Sequence, residues 1–339
     1  MLRRLAVGAG FDDDDSRRLW RILDLIGRES LEFTPSPGER RFSGICRDGS
    51  PWQYCAVLGR EGPPIRFLTE VGPPDAPLGA RIRLTVQRLA EVLDLAGASG
   101  RMGRADILAG LAPPYDDARA GVWLGVAVGS QGRLGLRVYA NCGWDDELSR
   151  WMRLIEAWRG LGAEGFAGAL TPHIPLLTTG FSISGFAMTV TGTTPTCKLY
   201  LRPADGGWDS VKDLVREVLP DGAGAFLAKV SQGLGRPLEG VRLKSAVISL
   251  AGRADGGPLD FKLDLCGHCL PMVAISPAAA VDGLAGAFGL DPAPWHALQE
   301  AAGGEALSDP DRVIAFVGIG MDAYRQARLN VYMSPFAAQ

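Results

Sequence analysis

The chain has 339 residues, 47% of them hydrophobic, and a formal net charge of −3. It is long enough to bury a large core, and its slightly acidic balance excludes a global electrostatic attraction to nucleic acid or to an anionic membrane. Six scattered cysteines favour reduced thiols in a cytoplasmic protein over a disulfide framework, and no apolar run is long enough to predict a transmembrane helix.

Ten runs with strand periodicity follow one another along the chain and group into five hairpins. The predicted pairs are 52–59 with 65–72, 123–129 with 135–142, 181–190 with 196–202, 243–251 with 260–266, and 312–321 with 325–333. Helical spacing predicts helices at 16–27, 83–96, 145–161, 211–219, 222–234, 277–288 and 292–302. In the first of these, Leu19, Trp20, Leu23 and Ile26 are expected to form the apolar face.

This repeated order of elements predicts the fold class. Antiparallel hairpins alternate with helices, and a closed barrel would leave no exposed sheet edge. We therefore expect an α+β protein: a single ten-stranded antiparallel β-barrel surrounded by helices, built from five repeats. One domain is expected over 15–336, after an N-terminal tail at 1–14. A split into two domains is the alternative, but no linker of Pro, Ser and Gly character marks a boundary.

The second strand of each hairpin carries a basic residue, often with a tyrosine two positions later. Side chains two apart on a strand share a face. The side chains that would point one way are Arg66; Arg137 with Tyr139; Lys198 with Tyr200; Lys262 with Asp264; and Arg328 with Asn330 and Tyr332. Several cations facing one interior need an anion, because unpaired buried charge is costly. The alternative is that these cations face outward and form ion pairs with the helices.

The five-fold pattern, together with KLY at 198–200, FKLD at 261–264 and RLNVYMSP at 328–335, resembles the aromatic prenyltransferases of the ABBA, or PT-barrel, superfamily. The resemblance covers about residues 15–336 and points to the indole, or dimethylallyl-tryptophan synthase-like, branch and its bacterial relatives. It implies transfer of a dimethylallyl or longer prenyl group from its diphosphate to an indole, a phenol or an aromatic peptide side chain.

The resemblance also implies roles for individual residues. The diphosphate would be bound by Arg66, Arg137, Lys198, Lys262 and Arg328, and the allylic cation would be shielded by Tyr139, Tyr200 and Tyr332. No metal or other cofactor would be needed, and the partners would be small molecules bound by a monomer or homodimer. A non-catalytic barrel that binds an isoprenoid phosphate is the first alternative. A diphosphate-using cyclase or hydrolase on the same fold is the second.

The residue that would remove the acceptor's proton departs from the family pattern. In the indole branch a glutamate follows proline by two residues in the second strand, but here Pro64 is followed at that spacing by Arg66. Glu70 has the same parity as Arg66, so we predict that it lines the same wall and acts as the base, kept ionised by Arg66. A solvent-facing glutamate at the strand end is the alternative.

Two other motifs are interpreted as structural. Four aspartates at 12–15 lack the spacing of a magnesium motif and are expected to form the acidic N-terminus of a helix. Cys266 and Cys269 have CxxC spacing, but no second pair matches them, so no zinc site is predicted.

Overall fold

The computed structural model describes residues 12–31, 43, 45–46, 49–59, 65–73, 76–95, 103–115, 121–128, 134–204, 206–239, 245–302 and 313–334. Its strands form one closed barrel in which every pairing is antiparallel. Each strand pairs with its neighbours along the chain, and the pairing of the first strand with the tenth closes the sheet. The predicted fold class is therefore confirmed.

The barrel strands, in chain order, are β1 (Trp52–Gly59), β2 (Ile65–Thr69), β3 (Val122–Val128), β4 (Leu134–Asn141), β5 (Phe181–Thr189), β6 (Thr196–Pro203), β7 (Val247–Arg253), β8 (Asp260–Cys266), β9 (Ile314–Met321) and β10 (Ala327–Met333). The five predicted hairpins match these strands to within a few residues. The predicted starts at 243 and 312 lie outside the described residues.

The α-helices are α1 (Asp13–Leu31), α2 (Leu78–Leu95), α3 (Gly103–Ala109), α4 (Glu147–Leu161), α5 (Glu164–Leu170), α6 (Ile174–Gly180), α7 (Trp208–Val218), α8 (Ala223–Gly233), α9 (Pro277–Phe288) and α10 (Ala293–Ala302). Short 3-10 helices cover Thr171–His173 and Gly267–Val273. None of the described helices is long and apolar enough to cross a membrane. The short helices α3, α5 and α6 were not predicted, because one or two turns give too few positions for a periodic pattern.

Local signals set several helix ends. The Asp146 carboxylate accepts a hydrogen bond from the Ser149 backbone N–H (3.0 Å) and caps α4. Gly162 ends the same helix with φ of 68°, a left-handed conformation that favours glycine. The predicted acidic start is confirmed, since Asp13, Asp14 and Asp15 form the first turn of α1.

Helix α1 differs from its prediction at one position. Leu19, Leu23 and Ile26 are buried as expected, together with Ile22, whereas Trp20 is 42% exposed. Successive residues of a helix are rotated by about 100°. Ile22 therefore completes the buried stripe, and Trp20 lies at its margin.

The hydrophobic core lies between the barrel and the helices. On β4 the buried residues Leu136, Val138 and Ala140 belong to this core, and on β10 Leu329, Val331 and Met333 do. Alternation then directs the intervening side chains of each strand into the barrel. The interior is consequently lined by the positions that carry the polar and charged residues.

A basic cluster in the barrel interior

The size of the side chains in the barrel interior alternates from one strand to the next. Even-numbered strands carry the five basic side chains, and the positions paired with these on odd-numbered strands are small. Gly125 lies opposite Arg137, and Ala127 lies opposite Arg66. Lys198 is flanked by Ala187 and Ala251. The small residues leave room for the long side chains to extend into the interior.

The tightest packing between a small residue and a long luminal side chain occurs at two glycines of β9. Gly320 pairs with both Lys262 and Arg328, and Gly318 pairs with Asp264 and Asn330. A Cβ atom at Gly318 would overlap the Asp264 carboxylate and lie 3.4 Å from Nζ of Lys262. Because Gly318 and Gly320 have no side chains, the side chains of β8 and β10 can meet across β9.

Through this gap, β8 and β10 form a hydrogen-bonded chain. Lys262 Nζ lies 2.6 Å from Asp264 Oδ1 and donates to the hydroxyl oxygen of Tyr332 at 2.7 Å. Asn330 Nδ2 donates to the same hydroxyl oxygen at 2.9 Å. With two hydrogen bonds accepted, the Tyr332 oxygen has its lone pairs engaged, and its O–H proton is left to donate. Burial raises the pKa of Tyr332 to about 12, so the phenol stays protonated.

The pKa values of the two luminal lysines are shifted in opposite directions. Burial lowers the pKa of Lys262, but Asp264 and Tyr332 more than offset it, so its pKa lies above the ordinary lysine value. Burial, followed by the charge of Lys262, lowers the pKa of Lys198 well below that value. Lys198 has the Tyr200 ring 5.0 Å away, and no carboxylate of the described residues forms an ion pair with it. An arriving anion would be the counter-charge that Lys198 lacks.

The three arginines complete the cluster. Arg66 is electrostatically coupled to Arg328 and Arg137, and Lys198 is coupled to Arg137 and Arg328. The structure thus brings together the basic residues that the sequence placed on one face: Arg66, Arg137, Lys198, Lys262 and Arg328. Ion pairs with the outer helices, the alternative, are not found for them in the described chain. Asp264 is the acidic side chain that pairs with this set.

Several luminal polar atoms have no hydrogen-bond partner within the described chain. The buried donors and acceptors in this condition include Nε of Arg66, Arg137 and Arg328, Nε1 of Trp123, Oγ of Ser249 and Oδ1 of Asn330. A buried polar atom without a partner costs about 1–3 kcal/mol. So many at one place indicate that water or a polar ligand, rather than the protein itself, satisfies them.

The predicted tyrosines also line the interior. The rings of Tyr139 and Tyr200 lie with centroids 6.0 Å apart, and Lys262 Nζ lies 4.8 Å from the centroid of the Tyr332 ring. These rings form an aromatic wall directly beside the basic cluster. The interior therefore combines an anion-binding zone with faces that attract a cation.

Glu70 does not lie where the strand alternation predicted. Strand β2 ends at Thr69, so the parity with Arg66 does not extend to Glu70. Its Oε1 lies 2.6 Å from Nη1 of Arg81 on α2, and both side chains are buried. The expected ionising neighbour, Arg66, is therefore replaced by Arg81, and the solvent-facing alternative is wrong. Burial raises the pKa of Glu70 to about 7, against the opposing effects of Arg81 and Ser43.

Sequence reasoning missed Trp123, Ser249 and the β9 glycines as parts of the lumen. The register of the strands is needed to find them, since none is charged. Asp264 was placed on the right face without a role, and the ion pair with Lys262 shows why an acid is tolerated there.

Comparison with known proteins finds similar structures but no similar sequences. No family model matches the chain, and no curated protein sequence does. The 6-dimethylallyltryptophan synthase from Micromonospora olivasterospora, solved with DMASPP and Trp, is 22% identical with a TM-score of 0.78, over 98% of this chain and 95% of that one. The 5-dimethylallyltryptophan synthase from Streptomyces coelicolor is 20% identical with a TM-score of 0.75, over 100% and 96%.

A third structure shows how far the likeness extends. AnaPT from Neosartorya fischeri is 14% identical with a TM-score of 0.68, over 99% of this chain and 91% of that one. All three likenesses cover at least 98% of this chain, whose ten strands close into an antiparallel barrel. The chain therefore has the ABBA, or PT-barrel, fold.

Proposed function

We propose that the chain is an aromatic prenyltransferase, which moves a dimethylallyl or longer prenyl group from its diphosphate to an aromatic acceptor. The observation that carries this proposal is the cluster of five basic side chains beside tyrosine rings inside a closed barrel. A diphosphate matches the cluster's charge and its unpaired donors. A prenyl chain matches the aromatic wall, and the solved structures of the same fold include one with DMASPP and Trp.

The reaction divides into two steps. In the first, the bond between prenyl C1 and the diphosphate oxygen breaks, and its electron pair leaves with the diphosphate. Lys262, Lys198 and the arginines stabilise the negative charge where it develops, and the Tyr332 O–H is positioned as a further donor. The rings of Tyr139 and Tyr200 shield the resulting allylic cation from water.

In the second step, a carbon of the acceptor ring attacks the allylic cation and a proton leaves the ring. Glu70 is proposed as the base. Its pKa of about 7 suits proton removal near neutral pH. Glu70 is buried beside Arg81 at the end of β2, so this role requires the acceptor to reach that end of the strand. Asp264 is the buried carboxylate on the luminal face and is the comparison for Glu70.

The direct test is product formation. The purified chain would be incubated with dimethylallyl, geranyl or farnesyl diphosphate and a panel of indoles, phenols and aromatic peptides, with readout by mass spectrometry. We expect an acceptor to gain the mass of one, two or three C5H8 units. A barrel that only binds isoprenoid phosphates would yield no product. A cyclase or hydrolase would convert the diphosphate without changing any acceptor.

Turnover is expected to persist without magnesium, because basic side chains take the place of the metal at the diphosphate. The measurement is the initial rate of prenyl transfer in EDTA and after addition of Mg²⁺. Rates within about twofold of each other are expected. Complete loss in EDTA that is reversed by Mg²⁺ would contradict the proposed use of side chains alone.

The fit between β9 and the lysine cluster gives a second test. Gly318→Ala places a methyl group against the Lys262–Asp264 pair. We expect it to lower the free energy of unfolding by about 1–3 kcal/mol and to weaken the binding of inorganic diphosphate, measured by calorimetry. Gly286→Ala, in α9, is the matched control because nothing lies within 4 Å of its added Cβ. It should increase stability by about 0.5–1 kcal/mol. Unchanged diphosphate affinity in Gly318→Ala would show that this pair is not part of the site.

A further inference from the structure

A second cluster of reactive side chains lies at the end of β8, outside the basic cluster. Cys266 is the last residue of β8, and His268 and Cys269 belong to the 3-10 helix Gly267–Val273 that follows it. One ligand atom from each residue can be chosen so that all three lie within 4.8 Å of one another. Cys266 Sγ and His268 Nδ1 are already 2.8 Å apart.

We propose that Cys266, His268 and Cys269 bind a zinc ion, with a fourth coordination position open to solvent. Two thiolates and an imidazole are ligands that zinc prefers over the harder divalent metals. In a tetrahedral zinc site the ligand atoms are about 3.6–3.8 Å apart, given Zn–S and Zn–N distances of about 2.3 and 2.0–2.1 Å. The observed group reaches that spacing with shifts of about 1 Å.

The turn that carries the three ligands is held in place by its packing. A Cβ atom at Gly267 would overlap the carbonyl oxygen of Ile314 on β9, so the chain passes β9 as closely as a backbone can. At the other end, Ala274 adopts a left-handed conformation with φ of 59°, and its N–H bonds to Pro271 O at 3.0 Å. A turn fixed at both ends loses little conformational freedom when an ion binds.

The burial of the three residues indicates the side from which a metal ion would reach them. Cys266 is buried, Cys269 is partly exposed and His268 is exposed. The ion would therefore arrive from the solvent side through His268, and the open position would face outward. Sequence spacing alone argued against zinc because no second CxxC pair exists. The histidine supplies the third ligand within the same turn.

A disulfide between Cys266 and Cys269 is the competing use of these thiols. A disulfide would remove both sulfur ligands, so the two uses of these thiols exclude each other.

Cobalt(II) is the probe, because its visible spectrum reports thiolate ligation and tetrahedral geometry, which zinc itself does not. The full-length chain, reduced and stripped with chelator, would be titrated with Co²⁺ and then with Zn²⁺. We expect tetrahedral d–d bands and sulfur-to-cobalt charge-transfer bands that saturate at about one equivalent. Zn²⁺ should then abolish both sets of bands.

Variants assign the bands to the residues. Cys269→Ser and His268→Asn should each weaken binding by at least about tenfold, since loss of even an outer hydrogen-bond partner of a metal ligand costs about 10–100-fold. Cys142→Ala and His296→Asn, which remove a buried thiol and an exposed imidazole elsewhere, should leave the titration unchanged. Absence of the bands from the reduced wild-type chain would overturn the proposal, as would bands that survive both ligand variants.

The readout is independent of prenyl transfer. Zinc should raise the thermal midpoint of the wild-type chain but not of Cys269→Ser. Diphosphate affinity should be the same with and without the ion, because the site is separate from the lysines. A chain that fails to transfer prenyl groups can therefore still pass this test, and a chain that fails it can still be a prenyltransferase.

Discussion

Replacing Lys262 with alanine is expected to weaken the binding of a prenyl diphosphate more than any other single charge removal in the barrel. A hydrogen bond to a charged group contributes about 1.5–3 kcal/mol, which corresponds to at least tenfold in affinity. The structure adds a second cost, because Asp264 loses its partner at 2.6 Å and leaves an uncompensated carboxylate beside the incoming diphosphate.

This second cost can be measured separately. The double variant Lys262→Ala with Asp264→Asn removes the uncompensated carboxylate, so it should bind diphosphate more tightly than Lys262→Ala alone. Lys198→Ala lacks such an acidic partner and should show only the simple loss, again at least about tenfold. Lys229→Ala, on the exposed face of α8, is the matched control. Wild-type affinity in both Lys198→Ala and Lys262→Ala would place the anion site elsewhere.

Glu70→Gln is expected to reduce turnover by about 10²–10⁴, the usual cost of removing a positioned base, while diphosphate affinity is retained. The amide keeps the shape of the side chain but cannot accept the acceptor's proton. Because the pKa of Glu70 is about 7, wild-type turnover should rise as pH increases through this value and the carboxyl ionises. That rise should be absent from Glu70→Gln.

The ion pair with Arg81 requires a control for structural damage. Loss of one partner of a buried pair destabilises a protein by about 3–5 kcal/mol, so turnover must be expressed per folded molecule, with the folded fraction taken from thermal unfolding. Asp264→Asn is the comparison variant. If Glu70→Gln keeps turnover within about threefold of wild type, while Asp264→Asn loses turnover but retains diphosphate affinity, the carboxylate that removes the proton is Asp264.

Features that depend on neighbouring residues could be predicted from the sequence, whereas features that depend on contacts between distant residues could not. The hairpins and the inward orientation of Lys198 and Arg328 were predicted, because both follow from the two-residue alternation within a strand. The pairing of Glu70 with Arg81 depends on where β2 ends and how α2 packs, and neither is visible in a period. Likewise, the role of Gly318 depends on its contact with Asp264, 54 positions earlier in the sequence, and a local pattern does not show that contact.

The pairing of β1 with β10 has a consequence for how the chain acquires its binding site. Among the described strands it is the one pairing between strands that are not consecutive in the chain, and Arg328 lies within it, opposite Gly59. During synthesis the earlier hairpins can form as they emerge, but the cations they carry face one another only when the last described strand docks. Bringing five positive side chains together opposes that final closure, so free diphosphate, by binding only the closed barrel, should raise its stability and slow its opening.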